Sequence, residues 1–165
     1  MSQVPILIMG FIFAFFLPVA AADSSFCYAS AGQRYHIAPD LLRAIGLVES
    51  HENSLSQGVN RDSRGRVVSR DFGLMQINDR HLAELRRLGI VDSSNELLSR
   101  PCLNIQIGAW ILARHLRLCG NTWQCLGSYN AGFSRKNKTR RQQYAQRVYK
   151  VWRDLRSQQW RGNKQ

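Results

Sequence analysis

In this 165-residue chain, Glu49 is a carboxyl side chain set where a charge does not belong. From Pro39-Asp40 the chain reads as a helix, Leu41-Leu42-Arg43-Ala44-Ile45-Gly46-Leu47-Val48-Glu49-Ser50, with Pro in the first turn, where its missing N–H does no harm. On a wheel of about 100° per residue, Leu41, Leu42, Ile45 and Val48 share one apolar face. Glu49 falls on that face, between Ile45 and Leu42. Burying an unpaired charge is costly, and a helix C-terminus disfavours negative charge. Both effects raise a carboxyl pKa and retain its proton near neutral pH. A general acid that breaks a glycosidic bond needs such surroundings. The competing reading makes Glu49 an ordinary partner of one of the many arginines.

The other reactive side chains point to structure before chemistry. Cys27, Cys102, Cys119 and Cys125 form an even set, which in an exported chain suggests two disulfides out of three possible pairings. Cys119 and Cys125 flank a short Gly120-Asn121-Thr122 turn and could staple neighbouring helix ends; Cys27–Cys102 would then tie the N-terminal part to the body. A metal site would call for closer C-x2-C ligand pairs, and none is present. His36, His51, His81 and His115 include no H-E-x-x-H, so they read as packing or surface residues and no metallopeptidase is expected.

The elements that must position Glu49 follow the helical period. Residues 1–22 carry no charged side chain, run apolar from Val4 to Val19 and close on Ala20-Ala21-Ala22, the pattern of a secretory signal peptide cleaved after Ala22. An uncleaved anchor is the alternative, but the run is shorter than the roughly 20 residues of a membrane span. Residues 23–165 then make one domain. Helices are expected at Tyr28–Tyr35, from Pro39 to Ser50, from a cap at Asn78 or Asp79 to Gly89, from Pro101 to Gly120, and over Thr122–Tyr129. A last helix at about Thr139–Gln158 carries Tyr144, Val148, Val151, Trp152 and Leu155 as one docking stripe. Residues 53–72 read as a polar, irregular loop in which Val67-Val68 supports a small hairpin, near 60–72. The fold class is mainly α.

Net charge is +12, and the excess is local. Residues 23–133 hold 12 arginines against 10 acids, whereas residues 134–165 hold 11 Lys or Arg against Asp154 alone. Such a block suits an anionic partner or a solvated helix face. A nucleic-acid role is disfavoured by the export signal and by the lack of a recognition motif.

Three segments, in order, narrow the function: Ala44-Ile45-Gly46-Leu47-Val48-Glu49-Ser50, Gly73-Leu74-Met75-Gln76-Ile77-Asn78, and Ser128-Tyr129-Asn130-Ala131-Gly132. Together they resemble the lytic transglycosylases with the lysozyme-like fold, above all the small members that accompany secretion, conjugation and pilus systems. The resemblance spans roughly residues 27–152 and includes Cys27 and Pro101-Cys102. It implies a goose-type or SLT-like helical domain. Glu49 matches the catalytic acid/base, followed by Ser50. Met75, Gln76 and Asn78 match a cleft-lining motif, and Tyr129 and Asn130 a motif whose Tyr lies against the Glu and the substrate.

One departure precedes the second segment. Where the family has small uncharged residues, this chain has Ser69-Arg70-Asp71-Phe72. The Asp-aromatic-Gly stretch is similar to the one carrying the second carboxylate of animal lysozymes, so Asp71 is expected across the cleft from Glu49, as an ion or nucleophile. The alternative pairs Asp71 with Arg70 or another loop arginine. The resemblance further implies peptidoglycan as substrate, an envelope-spanning secretion, conjugation or pilus component as partner, a periplasmic location, a monomer, and no cofactor or metal. Expected products are 1,6-anhydroMurNAc ends, or reducing ends if water competes as in a lysozyme. A wall-binding module without activity is a further alternative, against which the intact Glu49, Gln76, Asn78 and Tyr129 argue.

Overall fold

A computed structural model describes residues 24–162, so the predicted signal peptide at 1–22 lies outside the described residues. Helix α1 (Ser24–Tyr35) and helix α2 (Pro39–Ser50) pack on the long helix α5 (Pro101–Cys119). Helix α5 is enclosed on several sides: Ile105, Ile107, Ala109, Ile111 and Leu112 are all buried. Helix α8 (Lys138–Gly162) starts one residue earlier and ends later than the stripe predicts, and it docks on α2 through buried Tyr144, Ala145 and Val148. No helix among the described residues is long and apolar enough to cross a membrane.

The segment expected to be mostly irregular, residues 53–72, holds strands β1 (Gln57–Arg61) and β2 (Val67–Phe72), which with β3 (Ile77–Asn78) form an antiparallel sheet in spatial order β1-β2-β3. The hairpin at 60–72 is thus present and larger than expected. Its turn is closed by Asp62, whose carboxylate accepts from the Arg64 and Arg66 N–H groups, with Gly65 at φ +78°. The Arg66 guanidinium, which also donates to Asp62, and then the backbone bonds hold that carboxylate below its usual range.

Elsewhere the helical expectations need trimming. Asn78 caps a 3-10 turn at Asp79–His81, which leads into the short helix α3 (Leu82–Arg87), and Gly89 follows at φ +65°. Helix α4 (Glu96–Ser99) precedes α5. The single helix expected at Thr122–Tyr129 is two, α6 (Trp123–Leu126) and α7 (Ser128–Ala131), joined at Gly127. A Cβ at Gly127 would collide with the Arg141 carbonyl of α8. Two disulfides close the frame, Cys27–Cys102 across 75 residues and Cys119–Cys125 across the α5–α6 turn.

Candidate active site

The cleft that contains Glu49 lies between α2, the sheet and α7, with Ile111 of α5 in its wall. Glu49 occupies the last turn of α2, which ends in an unusual way. His51 and Glu52 both take left-handed conformations, φ 55° and 62°, and their N–H groups bond back to Leu47 and Gly46 carbonyls. A bidentate Arg43–Glu52 pair braces this strained exit. At the other side Ser50, only 7% exposed, donates its hydroxyl to Leu74 O (2.9 Å) and Gly46 O (3.2 Å). Ser50 therefore fastens α2 to the following loop and is not among the residues that line the cleft, where a substrate contact is expected.

Glu49 has no ion pair among the described residues, so the arginine-partner reading fails. Its Oε1 accepts a 2.6 Å hydrogen bond from the Tyr144 hydroxyl of α8. Burial is the main force that lifts its pKa from 4.5 to about 7; the nearby Asp71 charge adds to it, while the Tyr144 bond and the Arg147 cation oppose it. A carboxyl balanced near neutrality can give a proton and then take one back. The phenols of Tyr144 and Tyr129 are pushed up by their own burial and by the Glu49 charge, so both remain donors.

Asp71 reaches the same cleft from β2. Alternation along the strand puts Ser69 and Asp71 on one face, with Asn78 of β3 directly opposite Asp71 and Asn60 of β1 opposite Ser69. The Asn60 amide donates to Asp71 Oδ2 and the Asn78 amide to Oδ1, each at 2.7 Å, and both also donate to the Ser69 hydroxyl at 3.0 Å. No arginine pairs with Asp71 among the described residues. The surface ion-pair alternative is replaced by a carboxylate held between two neutral amides.

The remaining predicted residues divide by depth. Gln76 (φ +47°), Asn78, Tyr129 and Asn130 line the cleft. Gln76 donates to Ser56 O and Gly73 O, which leaves its carbonyl oxygen for a ligand. Tyr129 donates its hydroxyl not to Glu49 but to Met75 O, 2.9 Å away. Met75 is fully buried and fills the space over Gly108, so it supports the cleft floor and cannot touch a substrate as expected. Its N–H is received by Asn104 Oδ1, while the Asn104 amide donates to Phe72 O and Leu97 O. Asn104 and Tyr129 thus clamp the 72–76 loop from two helices. Arg80 and His81 also line the cleft; burial, helped by Arg80, drops the His81 pKa to about 4, so this imidazole is neutral at pH 7. No His, Cys, Asp or Glu group among the described residues is arranged to hold a metal.

Tyr144, Arg147, Asn60, Ser69 and Asn104 were not predicted as site residues. For Asn60 and Ser69 a signal exists in retrospect: with Asp71 and Asn78 they are the polar residues of alternate strand positions. Tyr144 carries no such signal, because it falls in the apolar stripe of α8.

The transglycosylase SLT domain family matches residues 26–151. A peptidoglycan-binding-like protein of Escherichia coli O157:H7 is 49% identical over 129 residues, covering 78% of this chain and 77% of its own length. Protein IpgF of Shigella sonnei is 39% identical over 141 residues, covering 85% and 86%. Invasion protein IagB of Salmonella typhimurium strain SL1344 is 37% identical over 129 residues, covering 78% and 76%. An inactive mutant of the lytic transglycosylase Slt from Pseudomonas aeruginosa shares the fold with a TM-score of 0.57 at 23% identity, over 82% of this chain and 24% of that one. The present chain spans about a quarter of that protein's length. With the family match covering most of its length, the chain belongs to the transglycosylase SLT domain family.

Proposed function

We propose that this enzyme cleaves the β-1,4 bond between MurNAc and GlcNAc in peptidoglycan, with Glu49 as sole acid and base. The observation that carries the reading is one half-buried carboxyl in a cleft, bonded to a tyrosine, whose pKa desolvation lifts to about 7 against the pull of that bond. Protonated Glu49 gives its proton to the linking oxygen as the bond to the MurNAc anomeric carbon breaks. Positive charge grows on the MurNAc ring, and the ring's own C6 hydroxyl attacks that carbon. Glu49, now ionised, takes the hydroxyl proton, leaving a 1,6-anhydro ring and a regenerated acid. No water is consumed. The Asp71 carboxylate, steadied by Asn60 and Asn78, offsets the developing positive charge.

A second reading is supported by Asp71 itself. A carboxylate held in this way can serve a lysozyme-type hydrolysis, with water in place of the C6 hydroxyl. Mass spectrometry of muropeptides released from purified sacculi separates the two. Anhydro ends support the transglycosylase route, and reducing ends support hydrolysis.

The biological setting we infer is local opening of the wall for a secretion, conjugation or pilus apparatus. The name of the peptidoglycan-binding-like relative supports the wall as its target, and that of the invasion protein IagB supports a role beside such machinery. Two disulfides and the signal-like residues 1–22 favour the periplasm. Fractionation of cells that express the chain tests this location; protein retained in the cytoplasm would refute it.

A further inference from the structure

Helices α6 and α8 enclose a second, open groove that shares no lining residue with the catalytic cleft. Two of its side chains are exposed aromatics: Trp123, 38% exposed, and Tyr149, 42% exposed, meet edge to face with ring centroids 5.1 Å apart. Trp152 backs both, at 5.6 and 6.0 Å. Around them stand the exposed carboxamides of Gln124, Gln142 and Gln146, none of which has a hydrogen-bond partner among the described residues. Lys150 adds a cation without an ion pair among the described residues. Positions 142, 146, 149 and 150 share one face of α8 by helical spacing. Tyr144 leaves the same helix in another direction, toward Glu49.

This combination selects among ligands. A membrane-docking face would present a continuous apolar surface with a basic border. A protein hot spot would set its aromatics inside a water-excluding apolar rim. Here the rings are flanked by free carboxamides, each offering a donor and an acceptor at a fixed spacing. Flat apolar ring faces beside amides match the C–H faces, hydroxyls and N-acetyl groups of an amino-sugar chain. Lys150 supplies charge complementarity to the free carboxylates that peptide stems carry.

We propose that the α6–α8 groove is a second peptidoglycan site, which seats sugar rings against Trp123 and Tyr149 and a stem carboxylate on Lys150. The inference rests on the wall substrate proposed above and adds a place to hold it outside the cleft. A polymer held there keeps neighbouring bonds at high local concentration near Glu49. It also gives the basic α8 a task that the catalytic chemistry leaves open.

The test uses the full chain and two variants, Trp123→Ala and the double variant Gln146→Ala/Lys150→Ala. Binding to purified sacculi is measured by co-sedimentation, and turnover on a soluble peptidoglycan tetrasaccharide reports the catalytic cleft separately. The expected result is at least threefold weaker sacculus binding for both variants, with tetrasaccharide turnover unchanged. Because Trp123 also packs on Trp152, the double variant, altered only at exposed side chains, decides the matter if Trp123→Ala loses its fold. Sacculus binding changed by less than threefold in the double variant overturns the proposal, as does a parent protein that does not bind sacculi. Loss of binding to anionic phospholipid vesicles, with sacculus binding retained, also overturns it and makes the groove a membrane surface. Groove-dependent sacculus binding by a parent that turns over no tetrasaccharide would sustain the groove and sink the transglycosylase reading.

Discussion

The Tyr144 hydroxyl of α8 donates a 2.6 Å hydrogen bond to Oε1 of Glu49 in α2, joining residues 95 positions apart. The C-terminal helix is therefore part of the acid's environment as well as a cover for the core. The bond favours the ionised carboxylate and opposes burial. Replacing Tyr144 by Phe removes that restraint while keeping the ring. The Glu49 pKa then rises above about 7, and the alkaline limb of kcat/KM moves up by about one pH unit. A pH–rate profile of sacculus digestion checks this; an unmoved limb would mean that the bond does not act on the working acid.

Glu49 also links stability to pH. Its folded pKa of about 7 lies above the ordinary value of 4.5, so the folded protein holds a proton that the unfolded chain releases. Stability is thus unaffected below pH 4.5, falls between 4.5 and 7, and stays lower above 7. The whole loss is about 3 kcal/mol at roughly 1.4 kcal/mol per pH unit. Glu49→Gln keeps the shape and an acceptor for Tyr144 but cannot ionise. Urea unfolding should show the variant equal to the parent at pH 4 and more stable by up to about 3 kcal/mol at pH 8. Parallel pH dependences would rule out a half-buried, proton-retaining Glu49.

Asp71 should act on both rate and pKa. Asp71→Asn removes a charge that raises the Glu49 pKa, so the alkaline limb shifts downward, opposite to Tyr144→Phe. In the proposed mechanism it also removes the anion facing the developing positive charge, with an expected loss of about a hundredfold in kcat. Opposite limb shifts in the two variants, measured on one substrate, would tie both residues to the same acid. A limb that stays in place in Asp71→Asn would uncouple the two carboxyls.

Asn104 is the buried fastener of the cleft loop. Asn104→Ala leaves the Phe72 and Leu97 carbonyls and the Met75 N–H without their partner. Each unsatisfied buried group costs about 1–3 kcal/mol, so a loss of about 3 kcal/mol or more is expected in denaturant unfolding. Activity should fall alongside, because the same loop presents Gln76. Full stability in this variant would show that the loop is held by other contacts.

The two disulfides should differ in weight. Loop-closure entropy assigns about 4 kcal/mol to the long Cys27–Cys102 link and about 2 kcal/mol to the short Cys119–Cys125 link. Paired Cys→Ala variants, compared by thermal unfolding, test that order, and a larger loss from the short link would contradict it.

How far the sequence could be read varied with the kind of interaction. Glu49 was legible because a charged residue on an apolar helical face breaks a period. The long helices were legible for the same reason, with errors of a few residues at their ends. Strand β1 was not, since Gln57-Gly58-Val59-Asn60-Arg61 has almost no apolar alternation and is held by the Asn60, Ser69 and Asp71 network. Tyr144 was read only as packing, because a phenol on an apolar stripe does both jobs and periodicity reports one. Ser50 and Met75 belong to conspicuous motifs, yet their roles are tertiary: one bonds the Leu74 carbonyl and the other fills the space at Gly108. Motif membership could not separate residues that touch a ligand from residues that hold those that do.

The proposed function rests on Glu49 as the acid that breaks the glycan bond. The most direct test is the release of muropeptides from sacculi by the parent and by Glu49→Gln, compared after both are shown to be folded. Anhydro-ended products are expected from the parent, with at least a hundredfold loss in the variant. Product release by Glu49→Gln at the parent's rate would contradict it.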